Sequence, residues 1–138
     1  MSISHGDVAP NFDLKDQNGK KHDIADYRGK WLFLYFYPKD DSPGCTIEAC
    51  SVRDSLSKFK KYDCAVLGVS IDTEKNHVKF IKKFALPFAL LADDKRELVK
   101  KYEVWGEKEF MGRVYMGTRR TSFLIDPEGK IRKIYTDV

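Results

Sequence analysis

No stretch of this sequence approaches the roughly 20 consecutive apolar residues that a membrane-spanning helix needs. Residues 1–10 lack the charged segment followed by an apolar one that marks an export signal. Cysteine is scarce as well, with 3 in 138 residues. An odd count in a chain without an export signal excludes a disulfide framework and points instead to reactive or buried thiols. There is no C-x-x-C pair. Its absence weighs against a dithiol redox motif, and against a zinc site assembled from Cys45, Cys50, Cys64 and His77. Charge of one sign is not in excess: 25 basic and 21 acidic residues leave a net charge of +4 and alternate along the chain. The lysine groups at 58, 60 and 61 and at 79, 82 and 83 therefore read as solvated helix faces, and no nucleic-acid partner is expected. Internal repeats, low-complexity tracts and linkers are all missing.

What is present is the composition of an ordinary globular protein, 42% hydrophobic and 33% charged. The length suits one domain, 1–138, with a sizeable core. Cytoplasmic residence is the default expectation, with no membrane association and no bound metal or cofactor.

Taken in order, Asn18-Gly19 lies between two short strand-like runs, 12–16 and 21–24, and predicts an amino-terminal hairpin. Residues 31–37, WLFLYFY, form a continuous apolar and aromatic run, as expected of a central strand covered on both faces. A loop containing Pro38, Pro43 and Gly44 follows, and then Cys45 leads a helical pattern whose inner face is Ala49, Val52, Leu56 and Phe59. Residues 64–71 read as a second buried strand, parallel to the first because a helix intervenes. Asp72 or Thr73 is expected to cap a helix with an inner face of Val78, Ile81, Phe84 and Ala85. A short strand at 88–91 and a short helix capped by Asp93 or Asp94 come next. Residues 106–117 show no steady period and read as a loop that carries Phe110, Met111, Tyr115 and Met116. A second hairpin, 121–125 and 130–135 around Asp126-Pro127-Glu128-Gly129, closes the chain. The sum is an α/β domain with a mixed central sheet and flanking helices.

In such sheets the reactive site lies beyond the carboxyl end of a central strand, which is where Cys45 falls. A thiolate is the nucleophilic form of cysteine, and the free N–H groups and positive dipole at a helix start favour it. Ionisation alone supplies about 2 kcal/mol, so a fast reaction needs donors aimed at the charge that develops. Ser42 offers a hydroxyl three residues before Cys45, and Arg119 and Arg120 open a strand able to lie beside it. Cys50 sits about 140° around the helix from Cys45.

The run Tyr37-Pro-Lys-Asp-Asp-Ser-Pro-Gly-Cys-Thr-x-Glu-Ala-Cys50 closely resembles peroxiredoxins of the bacterioferritin-comigratory, or Q-type, subfamily. Residues 7–12, 101–108 and 120–126 extend the likeness over almost the whole chain. The resemblance implies a thioredoxin-like fold and a peroxidase that reduces hydrogen peroxide and alkyl hydroperoxides. It makes Cys45 the peroxidatic thiol, shielded by Pro38, with Ser42 bonded to the peroxide and Arg120 holding the thiolate. Arg119 is the alternative if the strand register differs by one, and Glu48 either orients the donors or is a first-turn carboxylate favoured by the helix dipole. Cys50 becomes the resolving thiol, Cys64 a buried structural residue, and thioredoxin or a similar dithiol the reductant. A monomer or weak homodimer is expected. Two rivals remain on the same fold, a thiol-disulfide oxidoreductase and a peroxide-sensing interaction protein. Ser42 stands where threonine is commoner, and the chain stops where the family usually adds a carboxy-terminal helix, so either the sequence is a shortened one or a sheet face is left open.

A disulfide requires its two Cα atoms within about 7 Å, whereas five helical residues place those of Cys45 and Cys50 nearly 9 Å apart by helix geometry, roughly 7.5 Å of it rise. The bond implied by the resemblance therefore requires the first turns of the helix to unwind.

Overall fold

A computed structural model gives the fold, and it describes residues 3–136 apart from Asp41; the side chain of Phe110 lies outside what is described. The amino-terminal hairpin pairs β1 (Asp13–Lys15) with β2 (Lys21–Asp23) in antiparallel register. Its turn is held by the Asp16 carboxylate, which accepts from the N–H groups of Asn18 and Lys20. Gly19 takes the positive φ of 76° that closes it.

Next come β3 (Trp31–Phe36), α1 (Pro43–Asp54), α2 (Leu56–Lys61), β4 (Cys64–Ser70), α3 (Glu74–Phe84), β5 (Ala89–Ala92) and α4 (Glu97–Lys101). Four strands finish the chain: β6 (Trp105–Phe110), β7 (Arg113–Thr118), β8 (Thr121–Ile125) and β9 (Ile131–Thr136). Five of the strands form one mixed sheet in the order β5-β4-β3-β8-β9. β3 is its centre, parallel to β4 and antiparallel to β8. The α/β class with a mixed central sheet and flanking helices is thus observed.

β3 is apolar throughout because each of its faces meets a core. Leu32, Leu34 and Phe36 join Leu67, Val69, Tyr102, Val104 and Phe123 on one side of the sheet. Tyr35, with Tyr37 just beyond the strand, joins Cys45, Ala49, Val52, Phe80, Phe88 and Leu90 on the other. Alternating side chains explain the split, since successive residues of a strand point to opposite faces. The second core includes the sulfur-bearing residue at the head of α1, so the sheet itself seats the candidate nucleophile.

Several expectations are corrected. The helix expected to run on from Cys45 through Phe59 is two helices, broken at Ser55, whose N–H bonds to both Ser51 O and Val52 O. Ala49 and Val52 are buried, but Leu56 and Phe59 only partly.

α3 is capped by Thr73, whose side chain accepts from Asn76 N–H, as expected. Its inner face, however, is His77 and Phe80, with Ile81 and Phe84 half-buried against them. Val78 is exposed, and Ala85 is the left-handed C-cap at φ 52°, also exposed. The stripe keeps the helical spacing of i, i+3, i+4 and i+7 but starts one residue earlier.

Residues 106–117 are a regular antiparallel hairpin, β6 with β7, and not a loop. It pairs with neither neighbouring sheet. Met111, Tyr115 and Met116 are exposed. The expectation for Phe110 falls outside the described residues.

Candidate active site

Pro38 follows Tyr37, the first residue beyond β3, in the loop that leads to Ser42, the N-cap of α1. Proline at the first helical position, Pro43, suits a place where no N–H is needed. Thr46 N–H bonds to Ser42 O at 2.8 Å and starts the helical ladder. Helix geometry leaves the amides of Gly44 and Cys45 without intrahelical acceptors, and they face outward from the helix end. Ser42 does not cap them with its side chain. Its hydroxyl donates to Lys39 O at 3.0 Å instead, which leaves the oxygen lone pairs open to another donor.

Cys45 is 1% exposed. Arg120, just ahead of β8, donates from Nη2 to Cys45 Sγ at 3.1 Å and from Nη1 to Glu48 Oε1 at 2.7 Å. β8 lies antiparallel beside β3, with Thr121 opposite Phe36, so the sheet register brings the arginine to the carboxyl end of the central strand. Glu48 lies three residues beyond Cys45 on α1, one helical turn away, and the two groups hold the guanidinium between them. Gly44 makes room for this: a Cβ there would lie 3.1 Å from Arg120 Nη2.

The electrostatics follow from this packing. Burial works against the Arg120 cation, but its bonds and charge pairing with Cys45 and Glu48 prevail and hold it above the ordinary arginine value. Burial pushes the Glu48 carboxyl up, and the arginine opposes that rise. The cation is therefore kept charged beside the sulfur at any physiological pH.

Arg120 and not Arg119 faces Cys45. The Arg119 guanidinium instead packs over Gly106, where an added Cβ would meet Nη2 at 2.9 Å. Pro38 is half-buried at the loop's start. Cys50 shares α1 with Cys45 in one unbroken helix, and it is half-buried with its thiol free.

Cys64 departs from expectation. It is only half-buried and lines an apolar cavity of about 500 Å³ with Trp31, Phe59, Tyr62 and Leu124. It opens β4 opposite Trp31, at the other end of the central strands from Cys45. A strand of that length places the two ends roughly 20 Å apart. Burial pushes the Cys64 thiol up, away from the reactive thiolate form.

Sequence reasoning has no role for Gly44 or Asp40, and it weighs the buried His77, which closes on Asp40 from α3, only as a disfavoured zinc ligand. Asp40 lies inside the motif, and its spacing from Tyr37, whose hydroxyl it accepts, was the available signal. His77 does not approach the cysteines as a metal ligand would, since its two ring nitrogens meet Asp40 and Leu91 O.

Residues 5–134 match the AhpC/TSA family. Peroxiredoxin Bcp of Bacillus subtilis is 46% identical over all of this chain and 88% of its own length. Among solved structures, a PrxQ mutant of Xylella fastidiosa superposes with a TM-score of 0.94 at 32% identity, covering all of this chain and 88% of that one. The Xanthomonas campestris bacterioferritin comigratory protein, whose structures concern its alkyl peroxide reduction activity, gives 0.87 at 34% identity over 92% of this chain and 81% of that one. With a thiol seated at the head of α1 under an arginine, on a thioredoxin-like sheet, the chain belongs to the AhpC/TSA family and within it to the Bcp or Q-type peroxiredoxins.

Proposed function

We propose that Cys45 is the peroxidatic thiol of this thiol peroxidase and that Cys50 resolves it. The observation that carries the reading is the 3.1 Å bond from Arg120 to Cys45 Sγ, beside the outward-facing amides of the first turn of α1. The sulfur, as thiolate, attacks the terminal oxygen of the hydroperoxide. The O–O bond breaks, its electron pair leaves on the distal oxygen, and that oxygen takes a proton and departs as water or an alcohol. Cys45 is left as sulfenic acid. Arg120 and the Gly44 and Cys45 amides are placed to stabilise the charge that moves onto the oxygens, where preorganised donors are worth most. Ser42, turned to Lys39 O, keeps lone pairs for the peroxide O–H, and Pro38 screens the loop from water.

The Cys50 thiol then condenses with the sulfenic acid, and the two form a disulfide with loss of water. Three features support Cys50 over Cys64. It shares a helix with Cys45, Cys64 lies at the far end of the central strands, and burial pushes the Cys64 thiol away from its nucleophilic form. Because α1 is continuous from Pro43 to Asp54, its first turns must unwind for the bond to form. Peroxiredoxins act on peroxides with thiol reductants such as thioredoxin, and here such a dithiol returns both cysteines to thiols by exchange. A sulfur this deeply seated admits the end of a peroxide more readily than a protein disulfide, which disfavours the oxidoreductase rival.

No helix among the described residues is long and apolar enough to cross a membrane. Three free thiols suit a reducing compartment, and we assign the chain to the cytoplasm. The apolar cavity beside Cys64 suits weak self-association of an otherwise monomeric chain. The chemistry is tested by peptide mass spectrometry after one equivalent of hydrogen peroxide. A Cys45–Cys50 linkage is expected, and a Cys45–Cys64 linkage would reverse the assignment of the resolving thiol.

A further inference from the structure

His77 is fully buried on α3, a place where a histidine needs a partner for each ring nitrogen. Nε2 lies 3.0 Å from Leu91 O, and since a carbonyl can only accept, Nε2 carries a proton. Nδ1 lies 2.6 Å from Asp40 Oδ2. Two lone pairs would repel at that distance, so a second proton sits between ring and carboxyl and closes a short, buried hydrogen bond. The other Asp40 oxygen accepts from Tyr37 Oη, at the end of the central strand. The Asp40 main-chain N–H donates to Asp72 Oδ2 at 2.8 Å, and that same oxygen accepts from Ser70 Oγ at 2.7 Å. Asp40 is thereby tied by its side chain to α3 and β3 and by its backbone to the end of β4.

Asp40 is also the loop residue five positions before Cys45. Among the described residues downstream of it, the loop is held by the Ser42 hydroxyl on Lys39 O and by the first helical bond, Thr46 N–H to Ser42 O. We propose that His77 is a positioning residue: through Asp40 it fixes the upstream end of the loop between β3 and α1. It so holds the first turn of α1 against Arg120 for the peroxide step and confines unwinding to residues beyond Asp40. What this adds to the peroxidase reading, on which it rests, is the hinge point and the side chain that sets it.

Amide hydrogen exchange on the reduced protein tests it without any peroxide. In His77→Leu, protection at residues 46–49 is expected to fall about tenfold or more relative to residues 66–69 of β4, the scale of one buried hydrogen bond lost. His77→Asn, which returns a donor near the place of Nδ1, is expected to recover most of that protection. In a Cys50→Ser background, the rate at which Cys45 consumes one equivalent of peroxide should fall with His77→Leu and recover with His77→Asn. Equal loss of protection in β4 and α1, or a loss confined to α3, would assign His77 a merely structural role and overturn the proposal. So would an unchanged peroxide rate in a folded His77→Leu protein. Should that variant not fold, Asp40→Asn keeps the shape and removes the carboxylate, and the same selective loosening of residues 46–49 is required. A failure of Cys45 to consume peroxide in the otherwise unaltered protein would instead reject the peroxidase reading, and the exchange result would still decide the role of His77.

Discussion

Arg120 Nη2 lies 3.1 Å from Cys45 Sγ although 75 residues separate the two in sequence. Two features of the fold create the contact. The register of β8 against β3 delivers the arginine to the strand end, and Glu48, one turn along α1, fixes the second arm of the guanidinium. The planar fork thus bridges sulfur and carboxylate at once, which a lysine ammonium cannot reproduce.

Arg120→Lys is therefore expected to slow the reaction of Cys45 with peroxide by about 10²–10³-fold, the scale of removing one well-aimed charge donor. The melting temperature should change little. Stopped-flow peroxide consumption read beside thermal unfolding checks both. A rate within twofold of the unaltered protein would remove the arginine from the mechanism.

Gly44 is set by the same contact. A methyl group placed 3.1 Å from Nη2 must push the guanidinium aside by a few tenths of an ångström. Gly44→Ala should cost roughly tenfold in the peroxide step, since misplacement on this scale degrades alignment. The affinity for the reductant, read from the thioredoxin dependence of turnover, should stay the same.

The three thiols should separate by fate. With excess peroxide, Cys50→Ser leaves Cys45 without a resolving partner, and mass spectrometry should find it advanced to sulfinic acid. Cys64→Ser should turn over like the unaltered protein, because Cys64 sits at the far end of β4.

Asp126 gives a pH dependence of stability. It is buried in the turn between β8 and β9, and burial alone would raise its carboxyl. Bonds from the Lys130 N–H, Arg132 and the Glu128 N–H outweigh that and hold it below the ordinary value of 3.8. Since the folded value is the lower one, the stabilisation is fully present above the ordinary value and is lost as pH falls through the folded value. In urea titrations, Asp126→Asn should thus be less stable than the unaltered protein at pH 7. The gap should narrow below about pH 4. A gap that is constant with pH would show that the carboxylate charge contributes nothing.

Much of this was legible in the residues. The run from Trp31 announced a strand covered on both faces, and the proline, glycine and cysteine after it placed a thiol at a helix start. The motif identified Arg120, although only the sheet register explains why it and not Arg119 reaches the sulfur. What was hidden has physical causes. His77 reads as polar, so the helix period was anchored on Val78, one residue late, and the partner that makes His77 burial tolerable lies 37 residues upstream. The β6–β7 hairpin has many of its side chains in solvent, so no alternation between buried and exposed positions betrays its strands. The break at Ser55 leaves the apolar spacing intact, and spacing is all that periodicity can report.

Cys45 is proposed as the thiol that meets peroxide and Cys50 as the one that resolves it. Steady-state peroxide turnover driven by thioredoxin, compared among the unaltered protein, Cys45→Ser and Cys50→Ser, tests that most directly. Cys45→Ser should lose all turnover, and Cys50→Ser should consume at most about two equivalents of peroxide, as Cys45 passes through sulfenic to sulfinic acid, and then stall with this reductant. Turnover at the unaltered rate in Cys45→Ser would contradict the account outright.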